Sequence, residues 1–354
     1  MMIFPSRLFA TVLSLTVGVA LINSSDAVAS TPASSQETGA VVVGAQTAAV
    51  AASQTGGIVA SAVGGALGVG GPTPTTVGSQ MNYFNSRSLA GKSAGGASKR
   101  AGIWAQGGWT TADNNEAGGQ FDGDIFNFVA GIDYKPRKFN GNLLIGLAFG
   151  YEDVDITTSF NNGTFEGNGF TIAPYFGYKF NKAWGVDASV GVSFLDYDNS
   201  RNSNGVTGSF NAKRLFGSAN FTGNIQRKKL RITPKVGILA LGEEQDSYSE
   251  SDGTAVGDVN IHLIRLNASG ELGYSIAKGV EPFLRAGLEY DLNRNGPVVL
   301  TGTTLSSSDE AGAAFAAGIN FNRKNISGSI TGTSTQFKDE LTTWGASARI
   351  RINF

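Results

Sequence analysis

The sequence predicts an all-β fold: an antiparallel transmembrane β-barrel of about twelve strands, preceded by a signal peptide and a low-complexity segment. Three observations carry that prediction. First, the closing stretch from Thr342 to Phe354 alternates. Trp344, Ala346, Ala348, Ile350, Ile352 and Phe354 fall on one face, and Thr343, Gly345, Ser347, Arg349, Arg351 and Asn353 fall on the other. That is the period of a strand with one apolar and one polar side. An open sheet would leave this strand as an aggregating edge, whereas a barrel closed in lipid leaves no edge. Second, runs of the same kind recur from Arg100 onward. Third, the connections alternate between short basic turns and long polar loops.

Composition narrows the class. The chain of 354 residues has no cysteine, one histidine, 49 glycines and a net charge of −1. Its charged fraction is 16%, against roughly 25% in soluble domains. No run in the mature region reads as a membrane helix of about 20 apolar residues free of glycine breaks. Low charge without such helices fits a barrel whose lumen carries Ser, Thr, Asn and Gly besides charge. The lack of cysteine excludes disulfide frameworks and thiolate metal sites. Near-neutral charge removes the electrostatic reason to expect nucleic acid.

Taken in order, residues 1–29 read as a signal peptide. Arg7 gives the positive start, Leu8 to Ile22 the apolar run, and Ala27 and Ala29 the small residues that permit cleavage before Ser30. Residues 30–95 are dominated by Ala, Gly, Ser, Thr and Val and read as a short passenger or linker. Small side chains bury too little area to offset backbone ordering, so no independent core is expected there. The GxxxG pattern in Gly64-Gly65-Ala66-Leu67-Gly68 arises by chance in so glycine-rich a stretch. Asn85 to Lys99 suits a short helix or an extended linker. Gly91-Lys92-Ser93-Ala94-Gly95 matches GxSxG but lacks the strand-turn-helix setting of a nucleophile elbow.

Residues 96–354 form the barrel. Alternating runs start near Ala101, Phe121, Asn142, Gly163, Ala183, Gly208, Lys229, Val256, Val280, Ala311, Asn325 and Glu340. Glu281, Arg285, Glu289 and Asp291 alternate with Pro282, Leu284, Ala286, Leu288 and Tyr290. Arg265, Asn267, Ser269 and Glu271 alternate with Ile264, Leu266, Ala268, Leu272 and Tyr274. One-sided charge implies a polar lumen, so Arg265, Glu271, Glu281, Arg285, Glu289, Arg349 and Arg351 are expected to line the pore as a charge ladder. Short turns include Pro136-Arg137-Lys138, Asn181-Lys182 and Ala277-Lys278-Gly279. Long loops are expected over Ala112–Gln120, Asp198–Val206, Gln245–Gly257 and Asn293–Glu310. Outer-membrane barrels have short periplasmic turns and long extracellular loops, and an even strand count puts both ends of the barrel on the periplasmic side. Tyr134, Tyr178, Phe180, Trp184, Phe194, Tyr290, Trp344 and Phe354 lie near strand ends, as interfacial girdles require.

A signal peptide, a variable amino-terminal segment, a linker, about twelve strands and a terminal aromatic together resemble the autotransporter (type V secretion) β-domain. Gly102-Ile103-Trp104-Ala105-Gln106-Gly107-Gly108-Trp109 is similar to that family's entry strand, with Gln106 where Arg is common. The resemblance covers roughly residues 95–354. It implies insertion by the barrel-assembly machinery, with Phe354, Ile352 and Ile350 as the recognised residues. It also implies a linker threading the pore around Asn85 to Arg100. Family members usually export a long passenger; here only the stretch from Ser30 to the barrel is available.

Enzymatic chemistry finds no support. His262 falls on the outward face with Ile264 and Leu266, Ser269 lies on the opposite face, and a structural histidine is expected. Glu243, Glu244, Asp246, Glu250, Asp252 and Asp258 lack an EF-hand spacing and read as solvated loop charge near lipopolysaccharide. No phosphate loop, dinucleotide fingerprint or zinc spacing occurs, so no cofactor and no metal are expected. The expected partners are outer-membrane lipid, lipopolysaccharide and the assembly machinery, around a monomeric barrel. The leading reading is a translocator that exports or displays its own amino-terminal segment. The alternatives are a passive outer-membrane pore and a structural surface protein.

Overall fold

The computed structural model describes residues 43–67, 100–116, 118–294, 298–300, 303–305, 311–338 and 341–354. Twelve long antiparallel strands close into one barrel. They are β1 (Ala101–Asn114), β2 (Phe121–Tyr134), β3 (Leu143–Thr158), β4 (Gly163–Lys179), β5 (Trp184–Arg201) and β6 (Val206–Gly223). The second half comprises β7 (Leu230–Gln245), β8 (Val259–Tyr274), β9 (Val280–Arg294), β10 (Ala311–Arg323), β11 (Ile326–Lys338) and β12 (Leu341–Asn353). Each pairs with its sequence neighbours, and β12 returns to β1 in continuous register from Asn353 opposite Gly102 to Leu341 opposite Asn114.

Alternation is what makes these segments strands, and burial shows which face is which. Leu288 is 69% exposed while its neighbour Glu289 is 4% exposed. Ile132, Phe170, Leu284, Ile330 and Trp344 likewise point outward. Strands β1, β2, β4, β9 and β10 begin at the residues the pattern predicts, and the others begin a few residues away.

Strand ends differ more. The β1 strand runs to Asn114 and β5 to Arg201, into segments expected to be loop from Ala112 and Asp198. Two long loops contain small hairpins, Tyr248–Ser249 with Ala255–Val256 and Val298–Leu300 with Thr303–Leu305. Spanning a bilayer takes about 9–11 tilted residues, whereas the twelve strands have 13 to 18. Toward the long loops the strands continue as polar ladder. There the outer face carries Asp122, Asp153, Asp155, Glu166, Asp196 and Asp198, all exposed.

Glycines on the inner face seat the large rings. Trp104 lies over Gly131, Tyr175 over Gly146, Tyr197 over Gly167, Phe216 over Gly191 and Phe283 over Gly318. Each of these pairs is directly opposite in register. A Cβ at any of the five glycines would intrude on the ring facing it.

The lumen holds one helix, α1 (Gly44–Leu67). Every residue of α1 except Ala45 is buried. Its length and mean hydropathy are those of a membrane-crossing helix, but two Gly-Gly pairs interrupt it, so the expectation of no apolar run free of glycine breaks stands. No independent core is expected in residues 30–95; the barrel wall supplies the surface against which the small side chains of α1 pack. The stretch 64–68, dismissed as a chance pattern, includes the last turn of this helix. Of the segment expected to thread the pore, residues 85–99 lie outside the described residues, as do residues 1–42 with Ala27 and Ala29.

Candidate functional site

The site is the lumen with α1 inside it. The helix lies against β1 to β8. At the long-loop end, Val43 belongs to an apolar cluster with Phe121, Ile156, Phe165, Tyr197 and Phe210, and Gly44 abuts Gln245. At mid-height Gln54 Nε2 donates to Thr110 Oγ1 at 2.9 Å. Arg349 Nη1 donates to Ser61 Oγ at 2.6 Å, with its guanidinium 5.8 Å from the Trp104 ring centroid, a cation–π distance. At the short-turn end, Gly177 leaves the space that Val63 and Leu67 occupy. There Lys135 Nζ donates to Ala66 O, and Lys179 Nζ donates to Leu67 O at 3.2 Å. The helix therefore enters from the side of the long loops and ends on the side of the short turns. Burial, with Arg351 beside it, pushes the Lys135 amine down to about 8.

The seven residues expected to line the pore are all buried inside the barrel. Arg265 pairs with Asp291 and, at 3.5 Å, with Glu289. Arg285 meets Glu271 at 3.0 Å, and both Glu271 and Glu281 meet Arg231. Arg351 Nη1 donates to Asp133 at 2.8 Å. The expected ladder holding the linker thus binds largely to itself, and Arg349 carries a hydrogen bond to α1. A charge taken out of water is offset best by an opposite charge, and α1 carries no charged side chain.

Sequence reasoning missed a second buried cluster. Arg214 lies 2.7 Å from both Glu152 and Glu243, with Tyr197 Oη 3.1 Å away. Its signal was hidden because Phe210, Ala212 and Phe216 share its inward face, and because Glu152 sits between Tyr151 and Asp153. Asp133, flanked by outward Ile132 and Tyr134, was readable from parity.

Other expected features fall as follows. Glu243 belongs to the lumen rather than to the loop that follows. Within that loop, Glu250 and Asp252 hold Arg201 at 2.8 and 2.7 Å. Tyr248 stacks on Phe210 at 4.9 Å between centroids and accepts a 2.6 Å hydrogen bond from Asn199. The Asp252 carboxyl is held below the usual range by the Thr254 N–H and side chain and by Arg201. His262 is half-buried on the outer face beside Gly242. Ile350 and Phe354 are exposed and Ile352 partly so. Phe354 N–H donates to Ala101 O at 3.0 Å, and Phe354 O accepts from Arg100 and Ala101 at 3.1 Å.

No curated protein sequence matches this chain significantly. Among solved structures it is similar to the translocator domain of the autotransporter NalP from Neisseria meningitidis. That match has 13% identity and a TM-score of 0.61, and it covers 73% of this chain and 90% of that one. The beta domain of the Bordetella autotransporter BrkA gives 16% identity and 0.62, covering 72% and 100%. The transport unit of AIDA-I from Escherichia coli gives 12% and 0.56, covering 75% and 94%. At these identities the likeness concerns the fold. The family model for the autotransporter beta-domain matches residues 103–347, nearly the whole barrel. This outer-membrane translocator barrel belongs to the autotransporter beta-domain family.

Proposed function

We propose that this barrel carries its own amino-terminal segment to the cell surface and keeps α1 in the lumen afterwards. The observation that supports this reading is the direction of α1. Its first residue is at the long-loop end beside Gln245, and its last is at the short-turn end beside Lys135 and Lys179. Long loops face the exterior in outer-membrane barrels. A chain reading in this direction has its upstream end outside and rejoins β1 on the periplasmic side. With signal cleavage before Ser30, the displayed part is residues 30–42, since Val43 is buried in the lumen. The mechanism is physical: a polar wall hydrates a passing chain, and most of the arginines and carboxylates of that wall are paired with one another rather than with the chain. The barrel acts as a transport module rather than an enzyme, assembles through its terminal strand, and works as a monomer in contact with lipopolysaccharide.

The test is an epitope tag placed after Ser30 in cells producing the full chain. Antibody labelling of intact cells is the expected result. Labelling that requires prior permeabilisation of the outer membrane would refute export.

A further inference from the structure

The last four carbonyls of any α-helix lack partners within the helix, and its carboxy-terminal end carries partial negative charge. The α1 helix has no basic residue in its last turn. Two lysines from the wall supply what the helix lacks. Lys135, in the turn after β2, reaches Ala66 O, and Lys179, the last residue of β4, reaches Leu67 O at 3.2 Å. Two ammonium groups thus converge on successive carbonyls from different connections, each partly withdrawn from water at a cost that only an acceptor offsets. Lys135 does more. Its main-chain N–H donates to Arg100 O at 2.7 Å, so one residue holds the end of α1 and the start of β1 together.

We propose that Lys135 and Lys179 form the latch of the lumenal helix. They are positioning residues that fix its direction and hold it in the barrel. Elsewhere α1 presents mainly small side chains to the wall, with hydrogen bonds that include Gln54 to Thr110 and Arg349 to Ser61, whereas at this end two ammonium groups meet its last carbonyls. The inference concerns the helix where it lies and stands whether or not the segment ahead of it is exported.

The absence of cysteine makes the test direct. Ala60→Cys, buried on α1, is placed in the full chain, reconstituted in liposomes and treated with a membrane-impermeant maleimide. The added pair Lys135→Met and Lys179→Met is expected to speed labelling by about tenfold or more, as the loss of two charge-assisted hydrogen bonds implies. The pair Lys135→Arg and Lys179→Arg, which keeps charge and donors, is expected to label as slowly as the parent. Heat-modifiable migration in gels reports barrel closure for each variant. Should the methionine pair not close, Lys179→Met alone is read the same way, with a severalfold acceleration expected. Labelling at the parent rate in the methionine variant that closes would overturn the latch. So would an arginine pair that labels as fast as the methionine pair.

Discussion

Trp104 and Gly131 show how single positions are constrained in this barrel. The two face each other across β1 and β2, and a Cβ at Gly131 would come within 2.5 Å of the indole. Overpacking of this kind costs about 1–3 kcal/mol. Gly131→Ala is therefore expected to destabilise the refolded barrel by that amount in urea titration, while Gly270→Ala, with nothing within 4 Å of the added carbon, leaves the midpoint unchanged. Buried charge sets a second constraint. Arg214 pairs with both Glu152 and Glu243 inside the wall. Removing one partner of a buried pair typically costs about 3–5 kcal/mol, because the other charge is stranded. Arg214→Met is expected to lower stability on that scale, and the same urea titration reads it. An undiminished midpoint would mean that water reaches the two carboxylates.

Two elements carry the behaviour of the lumen, α1 and the loop between β7 and β8. Deleting residues 44–67 is expected to raise single-channel conductance in planar bilayers, since α1 stands where solution would otherwise be. Gly177→Val should do so less drastically, by intruding on Val63 and Leu67 while leaving the strands intact. Unchanged conductance in the deletion would show that α1 does not obstruct the pore. The loop is fastened by Arg201 to Glu250 and Asp252. A carboxyl whose value is lowered on folding contributes stability above its unfolded value and loses it as pH falls through the folded one. Because the Asp252 carboxyl is held low, the loop is expected to resist protease at neutral pH and to become cleavable near residues 250–254 only in strong acid. Cleavage equally fast at neutral pH would remove the clamp from the argument. The strands were legible in the sequence because lipid outside and charge inside enforce a period of two on every run. The helix was not, because a segment buried on all sides has no polar face to mark its period. The loop hairpins were not legible either, because their short runs carry too few residues to show alternation.

At the scale of the whole molecule, closure rests on the meeting of the first and last strands. Phe354 makes three main-chain hydrogen bonds to Arg100 and Ala101, yet the residue is exposed on the outside of the barrel. Those two roles separate experimentally. Phe354→Ala keeps the main-chain bonds, so refolding from urea into detergent is expected to proceed normally. Insertion in cells is expected to fall if the ring is what the assembly machinery reads. Equal losses in both measurements would assign Phe354 to stability alone. The resting place of α1 bears on what the barrel can handle. Rings and guanidinium groups project into the lumen, and the helix beside them is made mostly of alanine, glycine, valine and serine. As a wire-drawing die is known by the wire left in it, the lumen is gauged by what it holds, one slender helix of small side chains. The blandness of the amino-terminal segment is then its specification, cut to the diameter of the hole it occupies.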